Sequence, residues 1–260
     1  MAEMVVAAVP ELLDEIEASE RVRVCLAVES GSRAWGFPSA DSDYDVRFIY
    51  VRHPDWYLSI EDGGDVIERP IAGMVDLSGW DIRKALKLFR KSNPPLLEWL
   101  QCPIVYRERS SLAGTLRQLL PQFFSPEASF FHYLHMARGN FREYLRGELV
   151  WRKKYLYVLR PLLAMRWIEG NRGAVPMEFS RLLDATLEDA ALRAAIDELV
   201  TAKRAGNELD EGPRAPIISD FIERELIRFE EREVNRREDA PPVEELNTLF
   251  RATLRELWQA

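Results

Sequence analysis

Apolar and polar positions divide the chain into two unlike parts. Leu12, Leu13 and Ile16 share one face of a helix predicted over residues 10–20, with charges opposite. Residues 21–28, RVRVCLAV, alternate at first and then run apolar, as a strand does on entering a core. A second strand is predicted over 43–52, weaker ones over 57–60 and 66–71, and a third core strand over 73–77. Leu86, Leu88 and Phe89 follow at helical spacing and stop at Asn93-Pro94, because proline disfavours helix in the residue before it. A short helix over 95–100 and a strand over 104–107 complete this part.

Beyond residue 111 the spacing is helical. Helices are predicted over 112–124, 127–145, 149–168, 179–186, 189–203, 218–237 and 243–258, with turns bearing Pro, Gly or Asn between them. No repeat period and no low-complexity tract interrupts the pattern. It predicts an α/β domain over residues 1–110 and an all-helical domain over 111–260, joined near 107–126.

Composition adds limits. With 260 residues, 47% of them hydrophobic and 30% charged, the chain can bury a sizeable core. A net charge of −8 argues against broad nonspecific binding to nucleic acid, though not against a local basic cleft. No leading signal segment and no apolar run of membrane-spanning length is seen. Cys25 and Cys102 lie far apart in apolar surroundings, which predicts reduced thiols and a cytoplasmic protein with no membrane partner.

The chemistry concentrates in ESGSRAWGFPSADSDYDVRFIYV, residues 29–51. In a strand, Asp43 and Asp45 project to one side while Tyr44 and Val46 point to the other. Two carboxylates a strand-step apart form a hard-oxygen pair suited to Mg²⁺ or Mn²⁺. Gly31-Ser32 follows the first strand, where a bare backbone, a hydroxyl and an N–H could hold phosphate oxygens. A third carboxylate is expected for two-metal phosphoryl chemistry. Asp76, inside a strand, is the favoured candidate; Asp81 stands three residues after Ser78, the spacing of a capping-box-like helix start. A calcium loop beginning at Asp41 is excluded, since Val46 and Arg52 occupy the places of its glycine and its bidentate acid. Asp41 itself reads as turn chemistry, and Trp35 and Phe37 as pins for the loop.

Outside this stretch, Lys153, Tyr157 and Arg160 share a helix face and are candidate nucleotide contacts, with Lys154 as a substitute if the helix is rotated. Arg33 adjoins the phosphate cradle and joins them. His132 and His135 lack a third ligand nearby and read as structural. Arg138, Arg142 and Arg146 recur every four residues, a basic edge that suits either nucleic-acid contact or a solvated face.

Gly31-Ser32, ten further residues, Asp43-Tyr44-Asp45 and a separate strand aspartate resemble the pattern of the DNA polymerase β-like nucleotidyltransferase superfamily. GSRAWGFPSADSDYDVRFIYV, GWDIRKALKLFRKSNP and KKYLYVLRPLLA resemble its bacterial and phage branch that includes RNA-repair-pathway proteins. The likeness extends to about residue 170. It implies a palm-like mixed sheet with helices, the catalytic domain falling on 1–110. Gly31 and Ser32 would hold the triphosphate of an NTP substrate, and Asp43, Asp45 and Asp76 the Mg²⁺ or Mn²⁺ ions. The implied reaction moves a nucleotide to a hydroxyl, an RNA or tRNA end being the implied acceptor. A protein or small-molecule acceptor would use the same centre. A nucleotide-binding regulatory or toxin-neutralising module would keep the fold without turnover.

Overall fold

A computed structural model describes residues 2–71, 73–206, 211–232 and 241–259. The chain begins with helix α1 (Ala2–Glu20), then strand β1 (Val22–Glu29), the single turn of helix α2 (Ser32–Trp35) and strand β2 (Tyr44–Arg52). Strand β3 (Val66–Glu68) and strand β4 (Val75–Asp81) follow, then helices α3 (Ile82–Arg90) and α4 (Pro94–Gln101) and strand β5 (Val105–Glu108). These strands form one mixed sheet in the order β3-β4-β2-β1-β5. β1 runs antiparallel to both β2 and β5, whereas β2 and β4 are parallel. That parallel pair exists because β3 carries the chain to the sheet edge first, so β4 re-enters beside β2 in the same direction.

The sheet is covered on both sides, which is why β1 is apolar along nearly its whole length. Val9, Leu13 and Ile16 of α1 pack with Val24, Val46 and Phe48 on one face. On the other, Cys25, Ile49 and Val51 meet Phe89 of α3, Leu96 of α4 and Leu116 of helix α5 (Leu112–Phe123).

The remaining elements are helix α6 (Pro126–Tyr144), strand β6 (Leu149–Trp151), helix α7 (Lys154–Glu169), helices α8 (Phe179–Thr186) and α9 (Ala190–Arg204), strand β7 (Glu211–Pro213), and helices α10 (Pro216–Glu230) and α11 (Glu244–Trp258). α7 is buried on most of its circumference, as its apolar sequence requires, and forms the centre of a second core with α6, α8 and α10. α11 returns to the sheet layer, where Leu246 and Leu249 share a core with Cys25 and Leu116. α5 and α11 thus both pack in the sheet layer.

Four sequence expectations are corrected. Residues 57–60 are not a strand; 54–58 form a tight turn opened by Pro54, and Tyr57 is drawn inward to donate to Asp81 Oδ2 at 2.7 Å. Residues 149–151 are a strand rather than the first turn of a helix, because they pair antiparallel with β7. The third core strand runs on to Asp81, beyond its expected end at 77, and Asp81 caps α3 by accepting from the Arg83 N–H at 2.8 Å, the simpler of the two roles its position before that helix suggests. The helix expected over 218–237 is Pro216–Glu230, and residues 233–237 lie outside the described part.

Cys25 and Cys102 are free and buried, 1% and 5% exposed. Burial pushes the Cys25 thiol well above the ordinary range and the Cys102 thiol up to about 11. Neither is therefore expected to react with a thiol reagent at about pH 8 in the native protein, because the nucleophile is the thiolate. Absorbance titration with a disulfide reagent should register both cysteines only after denaturation.

Candidate active site

The site lies at the ends of β2 and β4 where the chain enters them. Parallel pairing sets Asp45 directly opposite Asp76. Residues so paired project to the same face, so two half-buried carboxylates stand side by side. Asp81 sits at the other end of β4, opposite Tyr50, roughly 16 Å further along the strand. Its carboxylate is fully buried and taken up by Tyr57 and the Arg83 N–H. Geometry thus brings Asp76, not Asp81, to Asp45.

Two like charges this close repel, and the structure shows what offsets them. Arg47, one strand-step beyond Asp45, donates from Nη2 to Asp45 Oδ1 at 3.2 Å and to Asp76 Oδ2 at 2.7 Å. Its Nη1 donates to the Asp76 backbone carbonyl at 3.1 Å, which fixes the fork against β4. Burial still raises the Asp45 carboxyl; Arg47 works against that shift, and Asp76 and Asp43 add to it. Asp43, just before β2, is exposed.

The turn after β1 closes on Asp45 from the other side. Gly31 has φ 59° and ψ −149°, a conformation open essentially to glycine alone. A Cβ there would stand 2.0 Å from Asp45 Oδ2. Below it, the Ser30 N–H donates to the Asp45 carbonyl at 2.8 Å, and the Asp45 N–H donates to Glu29 Oε1 at 2.8 Å. Glu29 is fully buried and also accepts from the Tyr106 hydroxyl at 2.5 Å. Burial raises its carboxyl, and the Tyr106 hydrogen bond opposes that rise. Gly31→Ala is expected to cost about 1–3 kcal/mol in urea unfolding and to displace the Asp45 carboxylate. Gly36→Ala is the control, since Gly36 also has positive φ (91°) but open space around an added Cβ.

Arg33 does not face the site openly. It donates to the carbonyls of Ser42 (2.6 Å) and Asp43 (3.1 Å), and its guanidinium lies 3.7 Å from the centre of the Tyr44 ring. It secures the loop leading into β2. Lys203 and Arg204 of α9 tie down the same loop through the Ser39 hydroxyl and the Gly36 carbonyl. Phe37 is buried against Phe179, with ring centres 5.4 Å apart, as expected for a pin.

The three α7 candidates separate. Tyr157 is 36% exposed, meets the Trp35 ring edge-on at 5.3 Å, and lies in the field of Asp45 and Asp43, which together with burial hold its hydroxyl above the usual range. Lys153 is exposed, 5.3 Å from the Trp151 ring centre. Lys154 reaches between two rings, 4.2 Å from Tyr144 and 4.8 Å from Tyr157. Arg160 is elsewhere: 2% exposed, it donates to Glu98 Oε1 at 2.9 Å, and its guanidinium stands 4.9 Å from the Trp35 ring centre. It supports Trp35 from the interior.

Among the described residues no three His, Cys, Asp or Glu side chains are gathered closely enough to hold a metal as placed, His132 and His135 included. The donor set around Asp45 nevertheless fits a hard divalent cation. It offers carboxylate oxygens only, beside a glycine whose missing Cβ leaves Asp45 Oδ2 accessible. Arg47 already balances two of these carboxylates as a positive charge, and an ion would take over part of that role.

Arg47 and Glu29 are the residues here that motif reasoning misses. The strand period places Arg47 on the face of Asp43 and Asp45, and an acid closing an apolar strand is a visible oddity at Glu29.

This mixed sheet with its facing aspartates is accompanied by a family match over nearly the whole chain, and that match makes the chain a polymerase β-like protein. Within that class the chain belongs to the RNA repair pathway DNA polymerase beta family (RlaP), whose sequence model matches residues 5–252. It is 50% identical over 248 residues to the uncharacterized protein YcgL of Bacillus subtilis (strain 168), across 95% of each chain. A solved nucleotidyltransferase-like protein from Exiguobacterium sibiricum 255-15 aligns over 98% of this chain and 90% of its own, at 15% identity and a TM-score of 0.32. No described helix is long and apolar enough to cross a membrane.

Proposed function

We propose that this protein is a metal-dependent nucleotidyltransferase that moves a nucleotide from an NTP to a hydroxyl at an RNA end. The observation that carries this reading is the Asp45–Asp76 pair, set opposite on parallel strands and closed by the bare backbone of Gly31. Asp43, Asp45 and Asp76 would hold Mg²⁺ or Mn²⁺. Such ions, when bound, neutralise triphosphate charge and lower the pKa of an acceptor hydroxyl.

The rest of the chemistry is positioning by the chain's own groups. The strand register fixes the separation of Asp45 and Asp76, and Glu29 anchors the Asp45 backbone from beneath. Arg47 keeps the two carboxylates together before substrate arrives, and its guanidinium is then at hand for a phosphate. Gly31 and Ser32 would let triphosphate oxygens approach the backbone. Tyr157 offers a partly exposed ring in the field of the carboxylates, with Lys154 over that ring and Lys153 beside Trp151 supplying charge for the nucleotide. Arg33 and Arg160 act on the nucleotide only through what they hold, the 36–43 loop and Trp35.

The test is transfer of α-labelled ATP, GTP, CTP and UTP to a pool of short RNAs with Mg²⁺ or Mn²⁺. Label is expected on RNA. Label on the protein itself would mean a protein acceptor. Metal-dependent NTP binding without transfer to any acceptor would mean a binding module.

A further inference from the structure

The end of the α6–α7 hairpin that faces the carboxylates carries an unusual surface. Residues 138–154 hold six cations, Arg138, Arg142, Arg146, Arg152, Lys153 and Lys154, against two acids, in a chain whose net charge is −8. Arg138 is paired with Glu230 at 3.0 Å. The other five cations have no carboxylate within ion-pair distance among the described residues. Of the two acids, Glu143 interacts with the Tyr144 hydroxyl. Lys154, partly desolvated and beside Lys153, has its ammonium pulled below the ordinary lysine range, and Glu143 only partly opposes that.

Aromatic rings alternate with these charges. Trp151 is 40% exposed beside Lys153, while Tyr144 and Tyr157 flank Lys154. Lys154 thus joins a ring at the carboxylates to a ring on the last turn of α6. Arg142, on the last turn of α6, and Arg146, just beyond it, line a groove of about 530 Å³ between α6 and α10, in which Glu230 and Glu223 are already engaged by Arg138 and Arg214. What sets this face apart is the excess of cations without a carboxylate partner, with partly exposed rings placed directly beside them. Alternating cations and exposed rings suit a polyanion whose flat groups can stack, which is single-stranded nucleic acid rather than an acidic polypeptide.

We propose that Tyr157, Lys154, Tyr144, Trp151, Arg146 and Arg142 form a track along which a single-stranded RNA acceptor lies, its end directed at Asp45 and Asp76. This rests on the nucleotidyltransferase reading for the identity of the strand as acceptor, but the binding surface stands on its own charges and rings. The net negative charge of the chain disfavours RNA over much of the remaining surface.

The experiment is fluorescence anisotropy of a labelled short oligouridylate with the full chain, without NTP or metal, across a range of salt. The unaltered protein should bind, with affinity falling as salt rises. Arg142→Ala/Arg146→Ala should weaken binding and lower the salt slope by about two. Trp151→Ala should weaken it roughly tenfold or more. These side chains are exposed, so unaltered melting curves are expected to accompany the losses. Failure of the unaltered protein to bind, or unchanged binding in both variants, overturns the track. Equal competition by polyglutamate also overturns it, since rings would then contribute nothing. Because the assay involves no transfer, RNA binding with no nucleotidyl transfer would sink the enzymatic reading and leave the track in place.

Discussion

Asp45→Asn should abolish nucleotide transfer, lowering the rate by about 10³-fold or more, while leaving the fold unharmed. Asparagine keeps the shape and can still accept from Arg47, so only the charge is removed. The stability side has a definite sign. Burial raises the Asp45 carboxyl in the folded state, with Asp76 and Asp43 adding to the rise against Arg47. A carboxyl raised on folding binds its proton more tightly in the native state, so its ionisation costs stability as pH rises through the folded pKa. At neutral pH and above, Asp45→Asn removes that cost, and Tm should stay level or increase as activity vanishes. Retention of charge at a destabilised position is how a functional site differs from a structural one. Asp76→Asn should lose transfer similarly. A variant with full activity at position 76 would exclude that aspartate from the chemistry, and a sharp fall in Tm with Asp45→Asn would recast the pair as structural.

The candidate site was legible in part because strand alternation is a local rule. It places Asp43 and Asp45 on one face without any knowledge of the sheet. The same rule brings Arg47 there, but not its partner. That Arg47 spans Asp45 and Asp76 depends on parallel register between strands separated by the β3 excursion. The choice of Asp76 over Asp81 depends on that register too, because both acids lie on one strand and only pairing says which end meets β2. At 149–151, apolar residues continue the spacing of α7 so smoothly that no local signal separates strand from helix. Their partner, β7, comes from a distant segment. Tyr57 was misread for a related reason: it belongs with a buried carboxylate from another element, not with its chain neighbours.

Arg160→Ala carries the largest expected stability effect and decides what that residue does. Sequence spacing groups Arg160 with Lys153 and Tyr157, since helix periodicity gives a common face but not which part of that face is covered. In the structure the far end of the stripe is inside. Glu98 Oε1 accepts from Arg160 Nη1 at 2.9 Å and from the Tyr133 hydroxyl at 2.5 Å, and Arg160 Nη2 donates to the Met177 carbonyl at 3.3 Å. Removing one partner of a buried pair leaves the other charge unpaired, which costs about 3–5 kcal/mol. For a chain of this size that corresponds to a fall in Tm of roughly 10 °C. Glu98→Gln should destabilise in the same direction, because Glu98 is the shared acceptor for Arg160 and Tyr133. The double variant Glu98→Met/Arg160→Met should recover much of the loss, because a buried ion pair and apolar side chains of similar volume are often near parity. A direct nucleotide contact predicts something different: a raised KM for NTP in Arg160→Ala with stability unchanged, and no parallel effect at Glu98. Thermal melts and NTP titrations of these three variants separate a guanidinium that holds the interior together from one that holds the substrate.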